Sequence, residues 1–183
     1  MNALIIDNDD RHSTRLIAEF RRLSIGAVGV TALAAGLEAI ARHRPSLVLS
    51  EVIVDTVSWH RTLHRVVVAS SGARVAFITS YPSMASTAYA TRIGAGYFTK
   101  PVAAQALVDW YEMAAEGAHG GFADGVEESG GWPTHRRMSL DRAVWEIINQ
   151  AVAENESLSS AAAQLGIDRR SLRRMLSKYP PAR

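Results

Sequence analysis

"LVLSEVIV", Leu47–Val54, is an apolar run interrupted at Ser50 and Glu51, the latter its one carboxylate. Rich in Val and Leu and without alternation of polar and apolar positions, it reads as a strand buried on both faces. Such strands belong to parallel sheets covered by helices on either side. A carboxylate at the end of one calls for a partner, because a charge taken out of water must be paired or neutralised.

The same texture repeats outward from this strand. "ALIID", "GAVGVTA", "RVAFITS" and "GYFTKP" are short apolar runs, and amphipathic stretches such as "STRLIAEFRRL", "GLEAIARHR", "WHRTLHRVVVAS", "SMASTAYATRIG" and "AQALVDWYEMAAE" follow the strands. Strand then helix, repeated, predicts an α/β domain built on a doubly wound five-stranded parallel sheet. In such sheets ligands sit beyond the carboxyl ends of the strands. The residues gathered there are Asp7, Asn8 and Asp9 after the first strand, Glu51 after the third, Thr79 after the fourth, and Lys100, followed by Pro101, after the fifth.

The composition shifts at Ala115–Arg137, which holds six glycines, one proline and few aliphatic residues. This predicts a flexible linker, since structureless loops of such length are uncommon inside compact domains. The expected organisation is a first domain over 1–114, a linker over 115–137 and a small all-α domain over 138–183. In that domain "LDRAVWEIINQAVAE" places Val144, Ile147, Ile148, Ala151 and Val152 on one helical stripe. "SLSSAAAQLG" predicts a shorter helix with Ser157 or Ser159 as N-cap and Gly166 as its stop, and "DRRSLRRMLSKY" a third, capped by Asp168 and halted before Pro180. The third helix should turn Leu172, Met175 and Leu176 inward and its arginines outward. Three helices with a glycine turn between the last two form a helix-turn-helix pattern.

With 183 residues, 48% of them hydrophobic, the chain can bury a sizeable core. It contains no cysteine, which excludes disulfides and thiolate metal sites, and its six histidines form no HExxH-type motif. No run of apolar residues is long enough to span a membrane and no secretion signal opens the chain, so a cytoplasmic protein without membrane contact is expected. The net charge is only +2, yet Arg169 to Arg183 holds six basic residues and no acidic one, while acidic residues concentrate near the start and in the segment from Glu116 to Glu128. That asymmetry predicts two modules with different partners.

The ordered set of strand ends, "IIDND", "LVLSEV", "FITS" and "GYFTKP", resembles the receiver domain of bacterial response regulators over about the first 114 residues. The resemblance implies a flavodoxin-like fold in which an aspartate after the third strand accepts a phosphoryl group. It further implies an acidic pair that helps bind Mg²⁺, a hydroxyl and a lysine that contact phosphoryl oxygens, and an aromatic switch. By position, Asp7 and Asn8 match the acidic pair, Glu51 the acceptor, Thr79 the hydroxyl, Tyr97 the aromatic residue and Lys100 the lysine. Asn8 brings a neutral amide where a carboxylate is usual, and Glu51 is one methylene too long, so any Mg²⁺ at Asp7 and Glu51 would be held weakly and no other cofactor is implied. Glu51 could form a purely structural pair with Lys100, imitate the phosphorylated state, or leave a residual switch in which Asp55 accepts phosphate or a ligand binds the rim.

"SLSSAAAQLGIDRRSLRRMLSKY" resembles the helix-turn-helix of the Fis family of DNA-binding proteins, with "LGIDRRSLRRML" its most specific part. The resemblance implies double-stranded DNA as partner, contacted by Arg169, Arg170, Ser171, Arg173, Arg174 and Lys178. Arginines near the helix start suit base edges, and Arg174 and Lys178 suit phosphates. Such modules read half-sites as dimers, and the wide apolar stripe of Leu140–Glu154 predicts a homodimer through that helix. The whole order is similar to two-domain response regulators of the RegA/PrrA/ActR class, though it has neither a cysteine near the linker nor a proline-rich hinge. The expected function is a non-enzymatic, DNA-binding transcriptional regulator that needs no phosphorylation, with RNA polymerase or another regulator as a further partner. The alternative is a signalling interaction protein whose pseudo-receiver binds another regulator or a kinase.

Overall fold

The computed structural model describes residues 1–55, 59–115, 139–155 and 157–178. The chain divides into two compact units, Met1–Ser80 with Ala90–Ala123, and Tyr81–Tyr89 with Asp124–Arg183. Strands and helices alternate through the first part of the chain as β1 (Asn2–Ile6), α1 (Asp10–Arg22), β2 (Gly26–Val30), α2 (Leu33–His43), β3 (Leu47–Glu51), α3 (Trp59–Ala69), β4 (Arg74–Thr79), α4 (Met84–Arg92), β5 (Gly96–Thr99) and α5 (Ala104–Ala115). All neighbouring strands pair in parallel, in the order β2-β1-β3-β4-β5.

The stretch Leu47–Glu51 lies at the centre of this sheet, with Leu47–Ser50 registered against Ala3–Ile6 of β1 and Leu47–Glu51 against Arg74–Ile78 of β4. All five of its residues are buried, which is why the sequence shows no polar face. Glu51 and Thr79 are the last residues of their strands rather than the first beyond them. One face of the sheet packs Ile5, Leu47, Leu49, Ala76 and Ile78 against Leu16 and Phe20 of α1 and Leu107 and Trp110 of α5. Each such large side chain contributes on the order of 1.5–3 kcal/mol when fully buried. Glu19 of α1 accepts the N–H of Ala104 at 2.9 Å, supplying the first turn of α5 with an acceptor.

Helix α2 approaches β1 closely at Gly36, where a Cβ would stand 2.5 Å from Ile6 Cδ1. Its N-cap, Ala32, offers no side-chain acceptor, and the carboxylate of Asp55 instead accepts the N–H of Leu33 at 3.1 Å. Asp55 thus sits in the loop after β3, with φ +55°, and caps a neighbouring helix.

The second unit contains α6 (Leu140–Glu154), α7 (Leu158–Gln164) and α8 (Arg169–Lys178). Ser139 caps α6, and Ser157 rather than Ser159 caps α7. Gly166 turns the chain toward α8 at φ +66°, a conformation that favours glycine. The three helices share a small core of Trp145, Ile148, Ala151, Val152, Ala161, Ala162 and Leu172. The stripe expected on α6 is displaced: Ile147 is 57% exposed and Val144 half-buried, while Trp145 and Asn149 are buried. With only seven residues in α7 and ten in α8, the partner helices offer too little surface to cover the whole stripe. Leu172 is buried as expected, whereas Met175 and Leu176 are half-buried. Of the expected linker, Ala115 belongs to α5 and the remaining residues lie outside those described.

Candidate functional site

Parallel topology delivers the ends of β1 and β3 and the residue following β5 to one rim, and three predicted residues meet there in a buried charge network. Lys100 Nζ lies 2.7 Å from Asp7 Oδ2 and 2.7 Å from Glu51 Oε2, with all three side chains at most 8% exposed. Glu51 Oε1 accepts the N–H of Val52 at 2.8 Å, so the turn leaving β3 holds the other end of the carboxylate. The N–H of Lys100 donates to the carbonyl of Thr79 at 2.8 Å, which joins the end of β4 to the residue after β5. The Lys100–Pro101 peptide bond is cis.

The other predicted rim residues take different positions. Thr79 is fully buried at the end of β4, Tyr97 is half-buried on β5, and Asn8 is exposed. Asp9 caps α1, its Oδ1 accepting the N–H groups of Arg11 and His12, each at 3.1 Å, while its own N–H donates to Asp7 Oδ1 at 2.9 Å. Asp55 is engaged with α2, as described above.

His12 belongs to the network and was not among the residues read from the sequence. Its Nδ1 lies 2.7 Å from Asp7 Oδ2, and the residue is 8% exposed. The available signal was weak: a histidine on the buried stripe of α1, with Leu16 and Phe20 one and two turns on, ordinarily reads as core. Burial pushes the Asp7 carboxyl up, but hydrogen bonds from His12, Lys100 and the Asp9 N–H, with the Lys100 charge, outweigh this and hold it below the ordinary carboxylate value. Burial likewise opposes charge on Lys100, and the charges and hydrogen bonds of Glu51 and Asp7 prevail to hold its ammonium above the ordinary lysine value.

The second candidate surface is α8. Arg169, Arg170, Arg173 and Arg174 are exposed on it, and Leu172 is buried beneath them. Ser171 is half-buried and committed locally: its N–H and hydroxyl donate to the carboxylate of Asp168 at 2.9 and 2.7 Å. These two bonds cap α8 and hold the Asp168 carboxyl below its ordinary value. Lys178 is the last residue of the helix.

No family model matches the chain. It is similar to the photosynthetic apparatus regulatory protein RegA of Rhodobacter capsulatus, with 25% identity over 181 residues spanning 97% of this chain and 91% of that protein. The protein of the same name from Cereibacter sphaeroides is 28% identical over 182 residues, with the same coverage of 97% and 91%. Among solved structures, a response regulator protein from Burkholderia pseudomallei, carrying a phosphorylated aspartic acid, a calcium ion and citrate, has a TM-score of 0.58 at 21% identity and covers 94% of this chain and 96% of its own. The signal receiver domain of a modulated diguanylate cyclase from Desulfovibrio desulfuricans has a TM-score of 0.56 at 24% identity and covers 63% of this chain and 94% of its own.

The fold is that of a receiver domain. Similarity to RegA along nearly the whole chain, with a receiver fold, supports a response-regulator function. Among the described residues no helix is long and apolar enough to cross a membrane.

Receivers imply a divalent metal at the rim, and the residues of this one do not fit it. Each of the four carboxylate oxygens of Asp7 and Glu51 already accepts a hydrogen bond or ion pair from the protein, and the ammonium of Lys100 stands between the two groups. A hard cation needs at least one or two carboxylate oxygens free to turn toward it. Asn8, the other member of the matched pair, is neutral. Among the described residues no other cluster of acidic or histidine side chains could hold a metal.

Proposed function

We propose that this chain is a DNA-binding transcriptional regulator of the response-regulator type whose receiver works without phosphorylation. Residues 1–114 form the pseudo-receiver, 115–137 a linker and 138–183 a Fis-type helix-turn-helix module. The observation that carries the reading is the outward face of α8: four exposed arginines, no acidic residue on the helix, and none of the four in an ion pair among the described residues. An amphipathic helix with that face, anchored by Leu172 and started by Asp168, suits insertion into the major groove. Arg169, Arg170 and Arg173 near its start are the base-reading candidates, with Arg174 and Lys178 on phosphates; Ser171 contributes by fixing the cap.

Leu140 and Ile147 are 79% and 57% exposed on one side of α6, which supports a symmetric homodimer through that helix and two half-sites per duplex. At the receiver rim, Glu51 holds Lys100 by its own charge. This supports a permanently set receiver rather than one that waits for a phosphoryl group. A salt titration of the full chain binding duplex DNA tests the proposal. A steep log–log slope of about −0.9 per phosphate neutralised is expected, shallower by about one such step in Arg174→Ala. Absence of salt-dependent DNA binding would favour the signalling interaction protein, whose receiver engages another regulator or a kinase.

A further inference from the structure

We propose that His12 is the gate that closes the receiver rim to divalent metal. The inference deepens the reading of a phosphorylation-independent receiver and rests on it. Asp7 is the one carboxylate of the matched acidic pair, so a metal entering the rim between Asp7 and Glu51 would draw on a bare oxygen of it. Its Oδ1 is taken by the N–H of Asp9, and Oδ2 is taken twice, by Lys100 Nζ and by His12 Nδ1, each at 2.7 Å. Two donors saturate the two lone pairs of Oδ2. Lys100 is part of the receiver pattern; His12 is the donor that fills the remaining lone pair of Oδ2, leaving on Asp7 only the second lone pair of Oδ1.

The setting of His12 fits that task. Its backbone N–H is held by Asp9 Oδ1 at 3.1 Å, which anchors the residue in the first turn of α1, next to Asp7. The ring is 8% exposed, and its Nε2 is buried without a hydrogen-bond partner. Among the described residues Asp7 is the one hydrogen-bond partner of the ring, and the imidazole tolerates an orphaned nitrogen to keep that bond. Leaving a buried polar atom unsatisfied is costly, so the bond to Asp7 is where the residue gains. The position otherwise belongs to an apolar stripe with Leu16 and Phe20, where a leucine would pack with no polar demand at all.

The test is a Mn²⁺ titration of the full chain, read as paramagnetic broadening of the Asp9, Val52 and Ile53 amides in proton–nitrogen correlation spectra. The wild-type chain should show no saturable broadening at millimolar Mn²⁺. His12→Leu, which frees one lone pair of Asp7 and keeps the apolar stripe, should bind saturably and at least about tenfold more tightly, because cation affinity follows the charged oxygens available. His12→Asn, which retains an N–H donor near the Nδ1 position, should behave as wild type. Saturable binding by the wild-type chain, no gain in His12→Leu, or an equal gain in His12→Asn would overturn the proposal. So would failure of both His12→Leu and His12→Met to fold, since a residue on which folding depends is not a gate. Loss of DNA binding or capture of a phosphoryl group by the wild-type chain would refute the functional reading through separate measurements, without altering this titration.

Discussion

Replacing Lys100 by methionine removes the cation shared by Asp7 and Glu51 while keeping much of the side-chain volume. At 2.7 Å and an effective dielectric near 20, each contact with Lys100 is worth about 6 kcal/mol of attraction before desolvation is set against it. Desolvating three buried groups cancels much of that, and removing one partner of a buried pair costs about 3–5 kcal/mol because the others stay buried without it. For a receiver of this size the loss corresponds to a fall in Tm of roughly 12–20 °C. Thermal unfolding followed by circular dichroism at neutral pH reads it directly. A drop equivalent to less than about 1 kcal/mol, the value of an exposed ion pair, would refute the claim that this network is buried and mutually dependent.

Four further outcomes follow. The wild-type chain should be most stable on a plateau bounded by two titrations: Asp7, held below its ordinary 3.8, contributes stability present above that value and lost as pH falls through its folded value, while Lys100, held above 10.5, contributes stability lost as pH rises through its folded value. Within that plateau, burial and the charges of Arg61 and His64 hold His60 below 6.5, so stability should decline modestly as pH falls below 6.5, and melts of His60→Gln should lack that decline. Gly36→Ala should destabilise the first unit by about 1–3 kcal/mol in chemical denaturation, because its methyl would stand 2.5 Å from Ile6 Cδ1 in a packed interface. Asp55→Ala should lower stability by about 1 kcal/mol through loss of the α2 cap, with no change in reactivity toward a phosphodonor.

The sheet was legible because its central strand is buried on both sides: Leu47–Leu49 and Val52–Val54 carry that environment as apolar runs without alternation, and the strand–helix alternation follows from the same physics. Glu51 and Lys100 were legible as partners because both stand at strand ends, where parallel topology leaves few places for a charge to go. His12 was not, since its role depends on a ring orientation and a hydrogen bond to Asp7 that no helical periodicity encodes. Asp9 looked like a rim acid and proved to be a helix cap, because an Asp just before a helix serves either purpose and only geometry separates them. Ile147 shows the corresponding limit in α6: periodicity marks an apolar side, but the arc actually buried is set by how much surface α7 and α8 can offer.

The central claim is that the receiver is set by its own side chains and takes no phosphoryl group. Its most direct test is intact-mass spectrometry of the full chain after incubation with a small-molecule phosphodonor and Mg²⁺. An unchanged mass is predicted for the wild-type protein under conditions that fully modify a receiver with an aspartate acceptor. A stable gain of one phosphoryl group on the wild-type chain would contradict the account.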